Sequence, residues 1–452
     1  SIGHTLSMFH ERVLPNLKDN IKCGNSLIGN DFYDDQLDLF PEQMKKINAF
    51  DWENGFPEIF KQGGFDVVIG NPPYVVVKGG RYTGFEESKE VIRYYKSFYS
   101  CLQQQINIYV AFLEQSFKIL STNGLAGYII PNTFLTNDYC RDIRQFFLAN
   151  GNLHILNNEG KVFDGAVVEG LVIVFDSKKP NSKNIIKTKL FSSEYKVKQK
   201  TFDTTYCNRF LLNITDSIAS ILKKIELESV KLGEVAEVWR GLTTGNDKKY
   251  LSDQQVTKNY KPIIQGKNIE RYYYDEIKLF VNYLPDELDR PRNPKIFEQP
   301  EKLISKFIGK NLTFCYDDSQ VYVINTGCIT YLKEGIDWNL KYLLGLLNSK
   351  LIDFYFTNIF TDYRDVFPLM KSGHLEVLPI KQSLATKKLH DQITNLVDNL
   401  LKLNKELQKA KLETHRNQLQ RAIDHAEKKI DELVYGLYGL TEEDIAIIEN
   451  NL

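Results

Sequence analysis

Little in this chain of 452 residues points to metal, membrane or polyanion. Its six cysteines, at 23, 101, 140, 207, 315 and 328, are scattered, and none forms a Cys-x-x-Cys pair. Such spacing signals neither a zinc site nor a disulfide framework, and a reducing cytoplasm fits it. No stretch is apolar for long enough to span a bilayer, and Ser1 to Asn20 lacks the form of a secretory leader. Neither a metal nor a membrane partner is expected. A basic excess is also missing, since the formal net charge is −1. Many DNA-binding proteins carry such an excess, because phosphate contacts dominate their affinity. Charge can still be local. Lys183, Lys187, Lys189, Lys196, Lys198 and Lys200 are opposed within their run only by Glu194. That run reads more readily as a solvated linker than as a binding surface. Finally, no Gly-x-Gly occurs anywhere in the chain.

What is present is globular. Hydrophobic residues make up 42% and charged residues 25%, and the length allows two or three domains. The segment to about 180 reads as α/β. Ile21 to Cys23 is a short strand candidate opening into Gly24-Asn25. Phe65 to Ile69 reads as a strand buried on both faces. Asn107 can cap a helix running to Leu120, which Asn123-Gly124 would end. Leu125 to Ile130, Leu153 to Leu156 and Gly170 to Phe175 read as further strands, with Arg141 to Leu148 helical. Alternating strands and helices predict a mostly parallel sheet with covered faces. Residues 181–227 form a connector, 228–380 a second globular region and 381–452 a helical end. There Leu389, Ile393, Leu396, Leu400, Leu403 and Leu407 form one apolar seam. Leu419, Ile423, Ala426, Ile430 and Leu433 form another, so an antiparallel hairpin is expected. A single long helix against a partner is the alternative.

The most informative residues are Asn71-Pro72-Pro73-Tyr74, which follow the strand. Each proline fixes its own φ and restricts the residue before it, so the turn holds one shape. An amino group conjugated to a flat ring is a poor nucleophile. The Asn71 side-chain oxygen and the Pro72 carbonyl can accept its two N–H bonds and turn its lone pair outward. Tyr74 offers a face on which the ring can stack. The loop falls at a strand's carboxyl end, where open α/β sheets bind ligands. A purely structural Pro-Pro turn is the competing reading of these four residues.

Five stretches together resemble gamma-class adenine-specific DNA methyltransferases of fused type IIG restriction-modification enzymes, with a TaqI-type specificity domain. They are IKCGNSLIG, FDVVIGNPPY, IYVAFLEQSFKILSTNGLAGYIIPNTFL and KVFDGAVVEGLVIVF; the fifth, in the C-terminal half, is LGEVAEVWRGLTTGNDKKYL with YLLGLLNSKLIDFYF and IDELVYGLYGLTEEDI. The resemblance implies a partial Rossmann-like, S-adenosylmethionine-dependent methyltransferase sheet over 1–180. It implies a mixed α/β target-recognition domain over 228–380, and double-stranded DNA as partner. Asn71 and Pro72 would grip the amine, Tyr74 would stack on an extruded adenine, and Phe163 would press on its other side. On residue type alone, Phe163 is an ordinary core phenylalanine. Gly24, Asn25 and Asn71 would line the cofactor site, although relatives often carry Asp where Asn25 stands. Arg240, Lys248, Lys249, Lys306 and Arg364 are candidates for DNA contact.

The resemblance also implies a glycine-rich cofactor loop, and none is present in these 452 residues. The expectation is therefore a fragment whose cofactor cradle lies upstream in the same polypeptide, together with any nuclease. Alone, it would bind cofactor weakly and methylate nothing. Glu87-Ser88-Lys89 has the form of part of a nuclease site but lacks a Pro-Asp partner, so it reads as a polar loop. The rival readings are a DNA-specificity module without catalysis, and a methyltransferase acting on RNA or protein.

Overall fold

The structure is a computed structural model, and it describes residues 17, 19–34, 41–77, 88–160, 169–361, 363, 369–382 and 387–451. Two compact units divide between Asn213 and Ile214. The first is built on a six-stranded sheet. Its strands are β1 (Phe65–Gly70), β4 (Leu120–Pro131), β5 (Asn152–Gly160), β6 (Gly170–Asp176), β7 (Ile185–Leu190) and β8 (Ser193–Lys198). They lie side by side in the order β1-β4-β6-β5-β7-β8. The short strands β2 (Val76–Val77) and β3 (Ile106–Asn107) pair with each other beyond the end of β1.

Helices α1 (Lys89–Phe98), α2 (Ile108–Ile119) and α3 (Arg141–Asn150) complete the layer arrangement. On one face of the sheet, Phe175 of β6 meets Phe117 of α2 at 5.1 Å and Phe147 of α3 at 4.7 Å between ring centroids. Ala126, Tyr128, Ile130 and Leu156 are buried on that side. Arg144 of α3 is fully buried and donates to four carbonyls, those of Phe134, Asn137, Cys207 and Asn208. It fastens the 206–208 turn, where Cys207 and Asn208 both have positive φ.

The opposite face is uncovered among the described residues. Val67 is 66% exposed, Ile69 85% and Leu125 43%. The expectation of a strand buried on both faces is thus corrected: β1 is an edge strand with one bare side. Registry carries this face across the sheet, from Ile69 beside Gly127 to Val174, then Ile155, then Lys187 and Lys196. It is apolar at one end and basic at the other. The expectation of a mostly parallel sheet is corrected as well. Only β1–β4 and β5–β7 pair in parallel. The connection between β7 and β8 has no room for a crossover helix, so that pair is antiparallel. Helix α2 ends at Ile119 and β4 starts at Leu120, so Asn123-Gly124 lies inside a strand rather than closing the helix. Residues 21–23 form no strand; Asn25 makes one isolated bridge to Ala49. The expected connector carries β7 and β8 on the sheet, and then the helix α4 (Asp216–Glu226) of the second unit.

The second unit contains two four-stranded sheets. One orders β9 (Ala236–Arg240), β16 (Gly327–Leu332), β13 (Lys302–Lys306) and β14 (Phe314–Asp317). The other orders β10 (Leu251–Ser252), β12 (Phe280–Asn282), β11 (Tyr260–Ile264) and β15 (Tyr322–Val323). Leu242, Ile263, Val281, Ile304, Val323 and Ile329 belong to their shared core. Helices α5 (Leu340–Leu347) and α6 (Lys350–Ile359) follow, then α7 (Lys387–Lys409), α8 (Glu413–Leu437) and α9 (Glu442–Asn450). Helices α7 and α8 pack together as the expected hairpin. The buried seam of α7 runs through Ile393, Val397, Leu400 and Asn404, with Leu396 and Leu403 only half-buried at its side. On α8 the seam is Leu419, Ile423, Ala426, Ile430 and Val434.

Candidate active site

The site grows from the carboxyl end of β1. A Cβ on Gly70 would meet the Tyr128 ring at 2.9 Å, so a glycine lets the strand end lie against β4. Beyond it the chain turns through Asn71 (exposed), Pro72 (buried), Pro73 (exposed) and Tyr74 (half-buried). The far end is held where Ile108 donates its N–H to the Val75 carbonyl at 3.0 Å. The Tyr74 hydroxyl donates to the Ile129 carbonyl at 3.1 Å. That bond sets the ring's position against the sheet, and partial burial raises the hydroxyl's pKa, so it stays a neutral donor. Among the described residues, no hydrogen bond occupies the Asn71 side chain, and its amide is presented to solvent. Prolines restrict the loop on one side of Asn71 and a close-packed glycine on the other, so its backbone is preorganised.

A cavity of about 280 Å³ lies beside the loop. Asn71, Pro72 and Pro73 form one wall, and Trp52, Phe112 and Tyr128 form an aromatic one. Gln115 and Ser116 supply polar atoms. Ser116 shares a 2.7 Å hydrogen bond with the Tyr128 hydroxyl. A second cavity of about 280 Å³ shares Ser26, Trp52 and Gln115 with the first. The Trp52 indole donates to the Ser26 carbonyl at 3.0 Å, which ties the Gly24–Leu27 turn to both. Gly24 packs so closely on Phe50 that a Cβ would meet it at 2.7 Å. The Asn25 side chain accepts the Leu27 N–H at 3.1 Å and so closes its own turn. Ser26, rather than Gly24 or Asn25, reaches the cavity wall.

Trp52 and Gln115 were missed in the sequence reading. The only available signal was Asp51, which caps the short Trp52–Gly55 helix by accepting the Asn54 N–H at 2.9 Å. Phe163 lies outside the described residues, as do Glu87 and Arg364. The remaining DNA-contact candidates sit in the second unit. Arg240 donates to the Asn325 carbonyl at 2.9 Å, with its guanidinium 3.8 Å over the Phe307 ring. Lys249 holds Glu287 at 2.9 Å, and Lys306 holds Glu270 at 3.2 Å. Lys248 is exposed. Among the described residues, no cluster of three metal-ligating side chains occurs, and no helix is long and apolar enough to cross a membrane. The six cysteines are free thiols.

The chain is similar to known proteins in sequence and in fold. Residues 6–163 match the Eco57I restriction-modification methylase family, and residues 261–380 match the TaqI-like C-terminal specificity domain. A putative type II restriction enzyme and methyltransferase of Methanocaldococcus jannaschii is 30% identical over 88% of this chain and 33% of its own length. The type II restriction enzyme and methyltransferase Eco57I of Escherichia coli is 23% identical over 96% of this chain and 51% of its own. The chain thus spans between a third and about half of these relatives. A type II methyltransferase of Thermus thermophilus is 23% identical over 70% of this chain and 72% of its own. Among solved structures, the type IIL restriction-modification enzyme MmeI, in complex with DNA, has a similar fold. The TM-score is 0.53 at 12% identity, over 89% of this chain and 58% of that one.

Proposed function

We propose that this chain, whose residues 6–163 match the Eco57I restriction-modification methylase family and residues 261–380 the TaqI-like C-terminal specificity domain, carries the catalytic loop and target-recognition region of an adenine-specific DNA methyltransferase. The loop supports this reading most directly: an exposed Asn71 amide at a strand's carboxyl end, followed by a tyrosine tethered through its hydroxyl. On this reading the enzyme rotates one adenine out of a DNA duplex, at a cost of a few kcal/mol. Tyr74 offsets that cost by stacking, and Phe163 is assigned to the other face of the base; each contact is worth roughly 1–3 kcal/mol. Asn71 and the Pro72 carbonyl accept the two amine hydrogens. As the amine attacks, positive charge builds on its nitrogen and both acceptors tighten. The amine loses its proton afterwards, so no strong base is required of the chain. Alignment of the amine by the rigid loop contributes the larger share of the acceleration.

S-adenosylmethionine is the methyl donor on this reading, and supplies the electrophilic carbon when bound. The residues present fit one part of its site. The aromatic wall of Trp52, Phe112 and Tyr128 beside Asn71 suits an uncharged ring system. A volume of about 280 Å³ falls short of the roughly 300–1,000 Å³ of ligand pockets that enclose their occupant. The bare apolar face of Val67, Ile69 and Leu125 is the complementary observation, since clustered exposed apolar side chains mark an interaction surface. We assign that face, and the remainder of the pocket, to a glycine-turn-bearing segment of the same polypeptide. Residues 228–380 are assigned to sequence recognition.

Methylome sequencing of a strain expressing the chain joined to that segment is the direct test. N6-methyladenine confined to one short motif is expected. Modification of another base, or none, overturns the reading.

A further inference from the structure

The lysine run that reads as a linker in sequence is an ordered sheet face in the structure. Strands β7 and β8 alternate strictly: Ile186, Thr188 and Val197 are buried, which turns Lys187, Lys196 and Lys198 to the exposed side. Registry places Lys187 directly opposite Lys196, and Lys198 opposite Ile185. Opposed side chains in an antiparallel pair have Cβ atoms about 4.5–5.5 Å apart, and like charges there are destabilising. Lys189 is the exception, opposite Glu194 and holding Glu159 at 3.5 Å. Among the described residues, neither Lys187 nor Lys196 has a carboxylate within ion-pair distance. Across residues 177–200 the chain carries eight lysines and one glutamate, although its overall charge is −1. Of these eight, Lys187, Lys189, Lys196 and Lys198 stand on the outward face of the two strands, and two of them are directly opposed.

We propose that the outer face of β7 and β8 holds the phosphate backbone of duplex DNA, independently of base sequence. The proposal rests on the DNA-directed reading above and adds a second contact surface in the first unit. Point cations on a strand repeat suit a polyanion. A protein partner would call for buried aromatic or arginine anchors. None of the outward positions Ile185, Lys187, Lys189, Glu194, Lys196 and Lys198 is aromatic or arginine; the exposed Phe191 stands in the turn between the two strands. Phosphate contacts of this kind position a protein without reading bases.

The test uses the full chain, a fluorescently labelled duplex of random sequence and no cofactor, with affinity measured across a salt series. Lys187→Gln, Lys196→Gln and Lys198→Gln together should weaken binding and reduce the log–log salt slope by about 2 to 3, at roughly 0.9 per phosphate contact. Removing three lysines elsewhere in the unit, by Lys45→Gln, Lys46→Gln and Lys61→Gln, should leave the slope within about 1 of the parent. Lys187→Glu converts the opposed like charges into an opposite pair, so the free chain should melt higher while binding DNA less tightly. An unchanged slope in the first variant, an equal drop in the control, or a lower melting temperature in Lys187→Glu overturns the proposal, as does a parent chain that binds no duplex. Absence of methyl transfer with this binding intact sinks only the catalytic reading.

Discussion

Replacing Asp431 by Asn should stabilise the second unit at neutral pH. Asp431 sits on α8 and is 6% exposed. Its Oδ1 accepts the backbone N–H of Lys350, the first residue of α6, at 2.9 Å. Burial is the largest influence on its carboxyl and raises the pKa from 3.8 to about 6; the Lys350 N–H, Arg271 and the Lys350 ammonium pull the other way without cancelling it. At about 1.4 kcal/mol per pH unit, ionisation of this group costs the folded state about 3 kcal/mol. The sign follows from linkage. A pKa higher in the folded than in the unfolded chain means that the folded state binds the extra proton. Stability from this group is complete below about pH 3.8 and is lost as pH rises through about 6. Asparagine keeps an acceptor for the Lys350 N–H and carries no charge. The advantage of Asp431→Asn should therefore be about 3 kcal/mol at pH 7.5 and shrink to about 1 kcal/mol at pH 4.5. At about 2–4 °C per kcal/mol for a unit of this size, the gain at pH 7.5 is about 6–12 °C in Tm. Thermal unfolding followed by tryptophan fluorescence at the two pH values measures it. A variant less stable than the parent at pH 7.5 would refute the reasoning, because attraction to Arg271 and Lys350 would then outweigh desolvation.

Three other outcomes are expected. Asn71→Ala, in the complete enzyme, should lower turnover by about 100- to 1000-fold with DNA affinity little changed, as a single-turnover methylation assay would report; near-normal methylation removes the loop from catalysis. Tyr74→Phe deletes the hydrogen bond to the Ile129 carbonyl and should cost about 1 kcal/mol in urea unfolding. With 2-aminopurine at the target adenine, the same variant should show less ordered flipping by fluorescence, whereas an unaltered signal would mean that the tether does not position the ring. Arg144→Leu leaves four carbonyls without their donor and should destabilise the first unit by at least about 1–3 kcal/mol, the cost of one buried acceptor left unsatisfied, read as a drop in urea midpoint.

Elements with one-dimensional signatures were legible in the sequence. Helix α2, the strand at Phe65, the strands of β4 to β6 and both helices of the hairpin fall where periodicity put them. The loop at Asn71 was legible because its chemistry is local, contained in four consecutive residues. What could not be read depends on registry and on neighbours distant in the chain. The seam of α7 passes through Val397 and Asn404 instead of Leu396 and Leu403, because the pitch of a helix against its partner selects among apolar positions that sequence spacing leaves equivalent. The exposure of Ile69 follows from what lies beside β1, and no property of the run Phe65–Gly70 encodes that. Trp52 is held at the cavity by its bond to Ser26, 26 residues away, and by packing on Phe50, Phe56 and Phe65. The lysines at 187 and 196 looked like linker because alternation over six residues is weak when half the positions are charged. Their opposition appears only once the two strands are paired.

The bare side of β1 has a consequence for handling this chain. Among the described residues β1 is an edge strand, and with exposed Val67 and Ile69 it is a template on which a second copy can align, an association that concentration drives. The pairing cannot grow far. Pro72 and Pro73 follow one residue past the strand, after Asn71, and donate no N–H, so a ladder started on β1 does not extend beyond Asn71. The same prolines that hold Asn71 in place thus act as gatekeepers against aggregation. Replacing them for mechanistic reasons would lengthen the sticky edge, and loss of soluble protein in such variants would then reflect self-association rather than a failure to fold.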